Sequence, residues 1–270
     1  MGASEITRNK NKIKTFLQHR KPESEDFGYY LAGLIDGDGH ISRSNRQNQI
    51  VITFSSKDVQ LAHYLKSKLK CGNVRKIKDK NAYNYIISNQ QGILEVFKLI
   101  NNKLRTESKI ARIKDVLSYS YSSNLLSSTL FKGDFNGDLS TNLDNWWLAG
   151  FCDADASFQI KIIERPKRVL KEIRIKIQID QKAKDLLLLI QKTFKGYLGY
   201  RSSQDTYYYE STSFDNAYLF ILYFDRYPLQ SSKWTAYKKW RTVYRLYENK
   251  KHLTDKGVER IQKIKNNLNK

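Results

Sequence analysis

The 270-residue chain carries 48 lysines and arginines against 27 aspartates and glutamates, a formal net charge of +21, which points to a polyanionic partner beyond any need for solubility. No stretch approaches the ~18 apolar residues of a membrane span and no apolar signal core opens the chain, so nucleic acid is favoured over a membrane surface. Two cysteines, Cys71 and Cys152, exclude a disulfide scaffold and suit a reducing compartment, while His19, His40, His63 and His252 lack the spacing of a zinc site.

Residues 1–23 are polar and lysine-rich without periodicity, and read as a flexible basic arm. Ser24 or Asp26 can cap a helix running through Phe27-Gly-Tyr-Tyr-Leu-Ala-Gly-Leu-Ile35. Strands are expected at His40–Ser44 and Gln49–Phe54, the second turning Ile50, Ile52 and Phe54 to a core. A helix through Leu61, Leu65 and Leu69 ends at Gly72, and a second strand pair covers Asn73–Lys78 and Tyr83–Ser88. Helices over 91–104 and 108–120 complete a first half spanning 24–120.

Residues 121–143, rich in Ser, Asn and Gly, form a linker. The order then repeats across 144–249. A helix starts near Asp144, strands follow at Ser157–Ile163 and Glu172–Ile179, and a helix covers Ala183–Phe194. Strands Tyr197–Ser202 and Thr206–Ser211 precede helices near 214–224 and 231–248. Each half therefore reads α-β-β-α-β-β-α-α, and residues 250–270 form an appended basic helix or tail.

The repeat is sharpest at Leu31-Ala-Gly-Leu-Ile-Asp-Gly-Asp-Gly39 and Leu148-Ala-Gly-Phe-Cys-Asp-Ala-Asp-Ala156. Each copy runs through Ala-Gly to Asp-x-Asp and enters a strand-like segment. A calcium loop at Asp36 fails, because His40 and Ile41 stand where an oxygen ligand and a glycine are needed. The segment from Asp134 fails likewise, with Leu139 and Asn145 at the glycine and glutamate positions. The paired motif resembles the LAGLIDADG homing endonucleases in their single-chain, two-motif form, over nearly all of residues 27–248. Ala156 departs from the pattern's final glycine, a small-for-small change.

The resemblance implies an α+β fold of two pseudo-symmetric αββαββα halves. Each half carries a saddle-shaped antiparallel sheet, and the halves pack through their motif helices. Small residues, among them Gly28, Ala32, Gly33, Ala149 and Gly150, permit that close approach. The helix ends would then bring Asp38 and Asp155 together as ligands of divalent metal, two or three Mg²⁺ ions shared between them. The carbonyls of Gly37 and Ala154 are added as candidate ligands. Calcium would support binding without cleavage. Asp36 and Asp153 are read as structural, bracing the helix ends. The resemblance also places a polar water-positioning residue after the second strand of each half, matched by Gln181 and by Ser56, or by Lys57 if the register slips. A basic residue from the last helix of each half is matched by Lys109 and Lys233, whose ammonium groups can stabilise phosphate charge.

A two-stranded ribbon fits the DNA major groove. Alternation turns Ser42, Ser44, Arg46, Gln47, Gln49, Thr53, Arg75, Lys76, Lys78 and Tyr85 outward in the first sheet. In the second it turns Gln159, Lys161, Arg174, Lys176, Gln178, Arg201, Ser203, Tyr208 and Glu210 outward. A strand of about nine residues spans ~30 Å, or roughly nine base pairs per half and about twenty in all. These expectations describe a monomeric, Mg²⁺-dependent, site-specific double-strand endonuclease that leaves short 3′ overhangs, the mitochondrial product of an organellar intron. An intron RNA maturase and a catalytically silent DNA-binding protein are the alternatives.

Overall fold

Two glycines decide how the halves meet. The computed structural model describes residues 17–42, 47–122, 134–166 and 170–268. Helix α1 (Ser24–Asp38) and helix α5 (Trp147–Asp155) carry the repeated motif and pack directly on each other. A Cβ at Gly33 would lie 1.8 Å from the Trp147 carbonyl oxygen, and one at Gly150 would lie 2.0 Å from that of Tyr30. These contacts are related by the repeat offset, since Tyr30 and Gly33 correspond to Trp147 and Gly150. Only glycine admits backbones at this separation, so the pseudo-twofold axis is written into the motif.

Each motif helix runs straight into a strand, and the two sheets share one topology. In the first half, β1 (Gly39–Ser42), β2 (Gln49–Ser55), β3 (Asn73–Lys76) and β4 (Ala82–Ile87) form an antiparallel sheet in the order β1-β2-β4-β3. In the second, β5 (Ala156–Ile163), β6 (Glu172–Gln181), β7 (Tyr197–Arg201) and β8 (Thr206–Glu210) take the order β5-β6-β8-β7. The register is equivalent as well: Gly39 pairs with Ile52 as Ala156 pairs with Ile179. Alternation holds along β6, where Ile173, Ile175, Ile177 and Ile179 are buried while Arg174, Lys176 and Gln178 face away from the core.

Helices α2 (Val59–Leu69), α3 (Gln90–Ile100) and α4 (Glu107–Ser122) belong to the first half. Their counterparts are α6 (Lys184–Phe194), α7 (Phe214–Arg226) and α8 (Lys233–Glu248). One apolar core runs through both halves, with Trp146, Trp147, Tyr30 and Phe151 fully buried at their junction. Helix α9 (Asp255–Asn266) follows α8 and packs on α8 and β5.

The flexible arm expected over 1–23 is corrected for its described part. His19 and Arg20 lie against the second half, while Lys21 and Pro22 meet Tyr64 of the first. The Arg20 guanidinium donates to the Arg226 carbonyl at 2.6 and 3.1 Å and sits 5.1 Å from the Trp146 ring centroid. The His19 ring stacks on Trp234 at 4.9 Å and bonds the Leu229 carbonyl oxygen at 2.9 Å, while Gln230 donates to the Arg20 carbonyl. Leu17 packs against the core.

Candidate active site and nucleic-acid interface

Asp38 and Asp155 are the last residues of α1 and α5, where each helix hands over to a strand. A Cβ at Gly37 would lie 2.3 Å from the Ala154 Cβ and 2.9 Å from Asp155 Oδ2. The Asp155 carboxylate thus lies against the residue preceding Asp38, on the axis between the halves. Burial, followed by the charge of Asp38, pushes the Asp155 carboxyl up to about 7; Lys233, Lys109 and a hydrogen bond from Gln181 oppose the rise. Burial also raises Asp38, against the lowering influence of Lys233 and Lys109. Gln181, the last residue of β6, donates its amide N–H to Asp155 Oδ2 at 2.9 Å.

The two lysines terminate the motif helices. Lys109, in the first turn of α4, donates to the carbonyls of Ile35, Asp36 and Gly37 at 2.6, 2.7 and 3.1 Å. Lys233, the first residue of α8, donates to those of Cys152 and Ala154 at 3.2 and 2.5 Å. These carbonyls lie in the last turn of each motif helix, those of Ile35 and Cys152 also accepting from the N–H groups of Gly39 and Ala156, and a cation there complements the helix dipole. Burial lowers Lys109, while Asp36, Asp155 and Asp38 act to raise it. The Gly37 and Ala154 carbonyls, expected as metal ligands, are therefore engaged by ammonium groups, with one lone pair of each left over.

Asp36 and Asp153 are buried to 1% and 7% exposure and turn away from the acid pair. Asp36 accepts from the backbone N–H groups of Arg105 and Thr106 at 2.8 and 2.9 Å, and from the Trp147 indole at 2.7 Å. Asp153 accepts from the backbone N–H groups of Gln230 and Ser231 and from the hydroxyls of Ser231 and Tyr30. Each carboxylate thus fixes the turn that presents the lysine of its own half and ties itself to the motif helix of the other. That arrangement is bracing.

The two flanks of the acid pair differ, and Ser56 requires a correction. Gln181 pairs with Tyr207 as Phe54 pairs with Tyr83, so Phe54 is the register equivalent of Gln181. Ser56 instead opens the 3-10 turn Ser56–Asp58, its N–H bonded to the Asn81 carbonyl. Sequence reading set Phe54 against Ile179, whereas the pairing sets Ile52 against Ile179, so the match to Gln181 fell two residues too late. Asp38 lines a cleft of about 350 Å³ together with Thr53, Ser55, Lys57, Asp58, Lys233 and Leu268. Asp58 spans the halves here, accepting from the Ser232 N–H at 2.6 Å and from the Ser55 hydroxyl at 2.8 Å.

The sheet faces turned away from the core place Gln49, Thr53 and Arg75 together in the first half, and Ser42 beside them. Gln47 donates to the Ser88 carbonyl, and Lys78 is exposed in the turn after β3. Tyr85 is a correction: it is fully buried, faces the helices, and donates its hydroxyl to the Cys71 carbonyl at 2.8 Å. Lys76 is another. It pairs with Tyr83, on the face of Val74 and Tyr85, because adjacent Arg75 and Lys76 cannot share one side of a strand. Ser44 and Arg46 lie outside the described residues.

In the second half, Gln159, Lys161, Arg174, Lys176, Gln178, Tyr208 and Glu210 share the outer face, with Arg201 at the end of β7 and Ser203 in the turn beyond it. Lys176 pairs with Glu210 at 2.8 Å, and Arg174 with Glu172 at 2.5 Å. Sequence reading missed His40, Asn84, Glu172 and Asp180 on these faces, although alternation from Val51 and Gln178 would have found His40 and Asp180.

The family model described as LAGLIDADG endonuclease matches residues 31–120 and 148–244. The chain belongs to this family. A relative in Schizosaccharomyces pombe, named as an uncharacterized cox1 intron-2 37.2 kDa protein, is 49% identical over 267 residues, covering 97% of this chain and 80% of that one. A Neurospora crassa relative, named probable intron-encoded endonuclease 4, is 25% identical and covers 90% of this chain but 44% of its own length. Among solved structures, the LAGLIDADG meganuclease I-AabMI bound to uncleaved DNA is similar with a TM-score of 0.75 at 24% identity, over 90% of this chain and 99% of that one. The LAGLIDADG homing endonuclease I-LtrWI bound to target DNA gives 0.75 at 22% identity, over 90% and 97% of the two chains. These likenesses establish the α+β fold of two pseudo-symmetric halves for this LAGLIDADG chain.

Proposed function

We propose that this chain is a monomeric, site-specific double-strand DNA endonuclease, and the observation that carries the proposal is the convergence of Asp38 and Asp155 on the axis between two basic sheets. Two carboxylates desolvated against each other are unfavourable unless a proton or a cation lies between them, and the Asp155 carboxyl is raised by burial first and by Asp38 second. The donor set suits a hard divalent ion. It offers two carboxylates and two carbonyls with a lone pair to spare, and an ion such as Mg²⁺ completes its shell with water and phosphate oxygens. When bound at such a pair, divalent metal supplies Lewis acidity and activation of water for phosphodiester hydrolysis.

The chain's own residues do the rest. Asp38 and Asp155 would hold the metal. The Gln181 amide, fixed on Asp155, orients a water at that carboxylate. Lys109 and Lys233 place half-buried positive charge beside the acid pair, where it would offset negative charge that grows on a phosphate in the transition state. The sheets bind about twenty base pairs, asymmetric because their faces differ, and each strand is cut once with short 3′ overhangs. Mitochondrial action as an intron product is supported by the cox1 intron relative. An RNA maturase or a silent DNA-binding protein would have no use for a desolvated acid pair. Selection of cleaved sites from a randomised duplex library with Mg²⁺ tests the proposal. Recovery of one long site, bound but uncut with Ca²⁺, is the expected result; no site recovered with Mg²⁺, Mn²⁺ or Ca²⁺ would refute it.

A further inference from the structure

On the outer face of the second sheet, one step from the acid pair, a group of side chains is already bonded into a fixed order. Asp180 immediately precedes Gln181, and its two carboxylate oxygens are both taken. Oδ2 accepts from Gln178 Nε2 at 2.7 Å, and Oδ1 accepts from Arg201 Nη1. Gln178 Oε1 in turn accepts from Gln159 Nε2 at 3.1 Å. The Arg201 guanidinium also lies 4.6 Å from the Tyr208 ring centroid. That ring lies over Gly199, where an added Cβ would come within 2.4 Å of Tyr208 Cζ. Arg201 is therefore gripped at one nitrogen and stacked on one face, while its side chain keeps 34% of its surface open. The register-equivalent place in the first sheet holds a neutral pair, Thr53 donating to Asn84 at 2.9 Å. The arrangement is particular to the second half.

We infer that Asp180 and Tyr208 position Arg201 as a guanine reader, close to the cleavage centre, in the half-site served by the second sheet. An arginine fork donating to guanine O6 and N7 is the commonest specific contact in the major groove, and its value depends on presenting two N–H groups in one plane. A free arginine samples many rotamers and serves any phosphate. One held by a carboxylate and an aromatic face has spent that freedom before binding. Asp180 also repels phosphate, which discourages the backbone contact that would compete. The donors converge on Asp180: Gln159 donates to Gln178 and Gln178 to Asp180 from one side, and Arg201 donates to it from the other.

This inference rests on the endonuclease reading, and the test keeps the two apart. The site selected by the wild-type protein is varied one base pair at a time, and binding with Ca²⁺ is measured for wild type, R201A, R201K, D180N and G199A. Expected is one guanine, within a few base pairs of the cut, whose replacement weakens wild-type binding about tenfold or more. R201A and R201K should both lose that preference while other positions keep theirs. R201K should retain the wild-type salt dependence, since charge is kept and only the fork is lost. D180N should weaken discrimination at that guanine while strengthening binding to unrelated DNA, a split that simple loss of structure does not produce. G199A should act like D180N on discrimination alone. A uniform loss across all positions in R201A, or undiminished guanine preference in D180N, overturns the inference. Failure of the wild type to select any site overturns the endonuclease reading instead.

Discussion

Replacing Asp155 by asparagine should stabilise the metal-free protein at alkaline pH while destroying cleavage. In the folded chain this carboxyl is held up to about 7, against an ordinary 3.8, with burial and the neighbouring Asp38 as the causes. The folded state therefore keeps a proton that the unfolded state releases. Stability linked to this group is complete below about pH 4 and is lost as the pH climbs to about 7. At about 1.4 kcal/mol per tenfold change in proton affinity, the full loss is on the order of 4 kcal/mol. About 3 kcal/mol of it falls between about pH 5 and about pH 8. Asparagine has no charge to desolvate and can keep a hydrogen bond with Gln181. Urea denaturation in EDTA, at both ends of that range, should show the gap between D155N and wild type widening by about 3 kcal/mol in favour of the variant. Comparing the two proteins cancels histidines and other groups common to both. A gap that stays constant with pH, or a variant less stable than wild type at the alkaline end, would mean the acid pair is not strained, and the argument for a cation between them would fall.

D38N should abolish double-strand cleavage and leave duplex affinity within a few-fold of wild type; wild-type-like cutting by this variant would remove Asp38 from the site. G150A should drive the new methyl against the Tyr30 carbonyl and cost about 3 kcal/mol or more in unfolding experiments, and an unchanged melting temperature would count against the close helix contact. W147F removes one donor from buried Asp36 and should destabilise by about 1–3 kcal/mol, checked by the same unfolding curves. Because Phe54 replaces a water-orienting amide on one flank, strand-labelled duplexes should reveal unequal nicking rates, with F54Q accelerating the slower strand; equal rates in the wild type would show the flanks to be equivalent.

The motif helices were legible because their signal is written twice, at one offset, in residues whose size and charge both matter. Most strands were legible because one face of each sheet is buried, which forces alternation, as along Ile173–Ile179. Tyr85 was not. Strand β4 places Tyr83, Tyr85 and Ile87 on one parity and Ala82, Asn84 and Ile86 on the other, and its pairing with Ile52 puts Tyr85 on the core face. Phe54 and Ser56 could not be separated without knowing how far β2 and β6 continue past equivalent isoleucines. Residues 17–22 read as an arm because His19 and Arg20 find their partners at Trp146 and between Arg226 and Trp234, and composition carries no trace of contacts so remote.

The docking of those residues has a bearing on how the protein comes into being. The segment that leaves the ribosome ahead of the first motif helix completes its contacts on Arg226, Leu229 and Trp234, which emerge about two hundred residues later. During synthesis the first half therefore waits with its leading edge unplaced. A chain severed between the halves would strand that edge on the wrong fragment, whatever fold each fragment reached. The order of translation thus makes α7, α8 and the loop between them the fastening for His19 and Arg20.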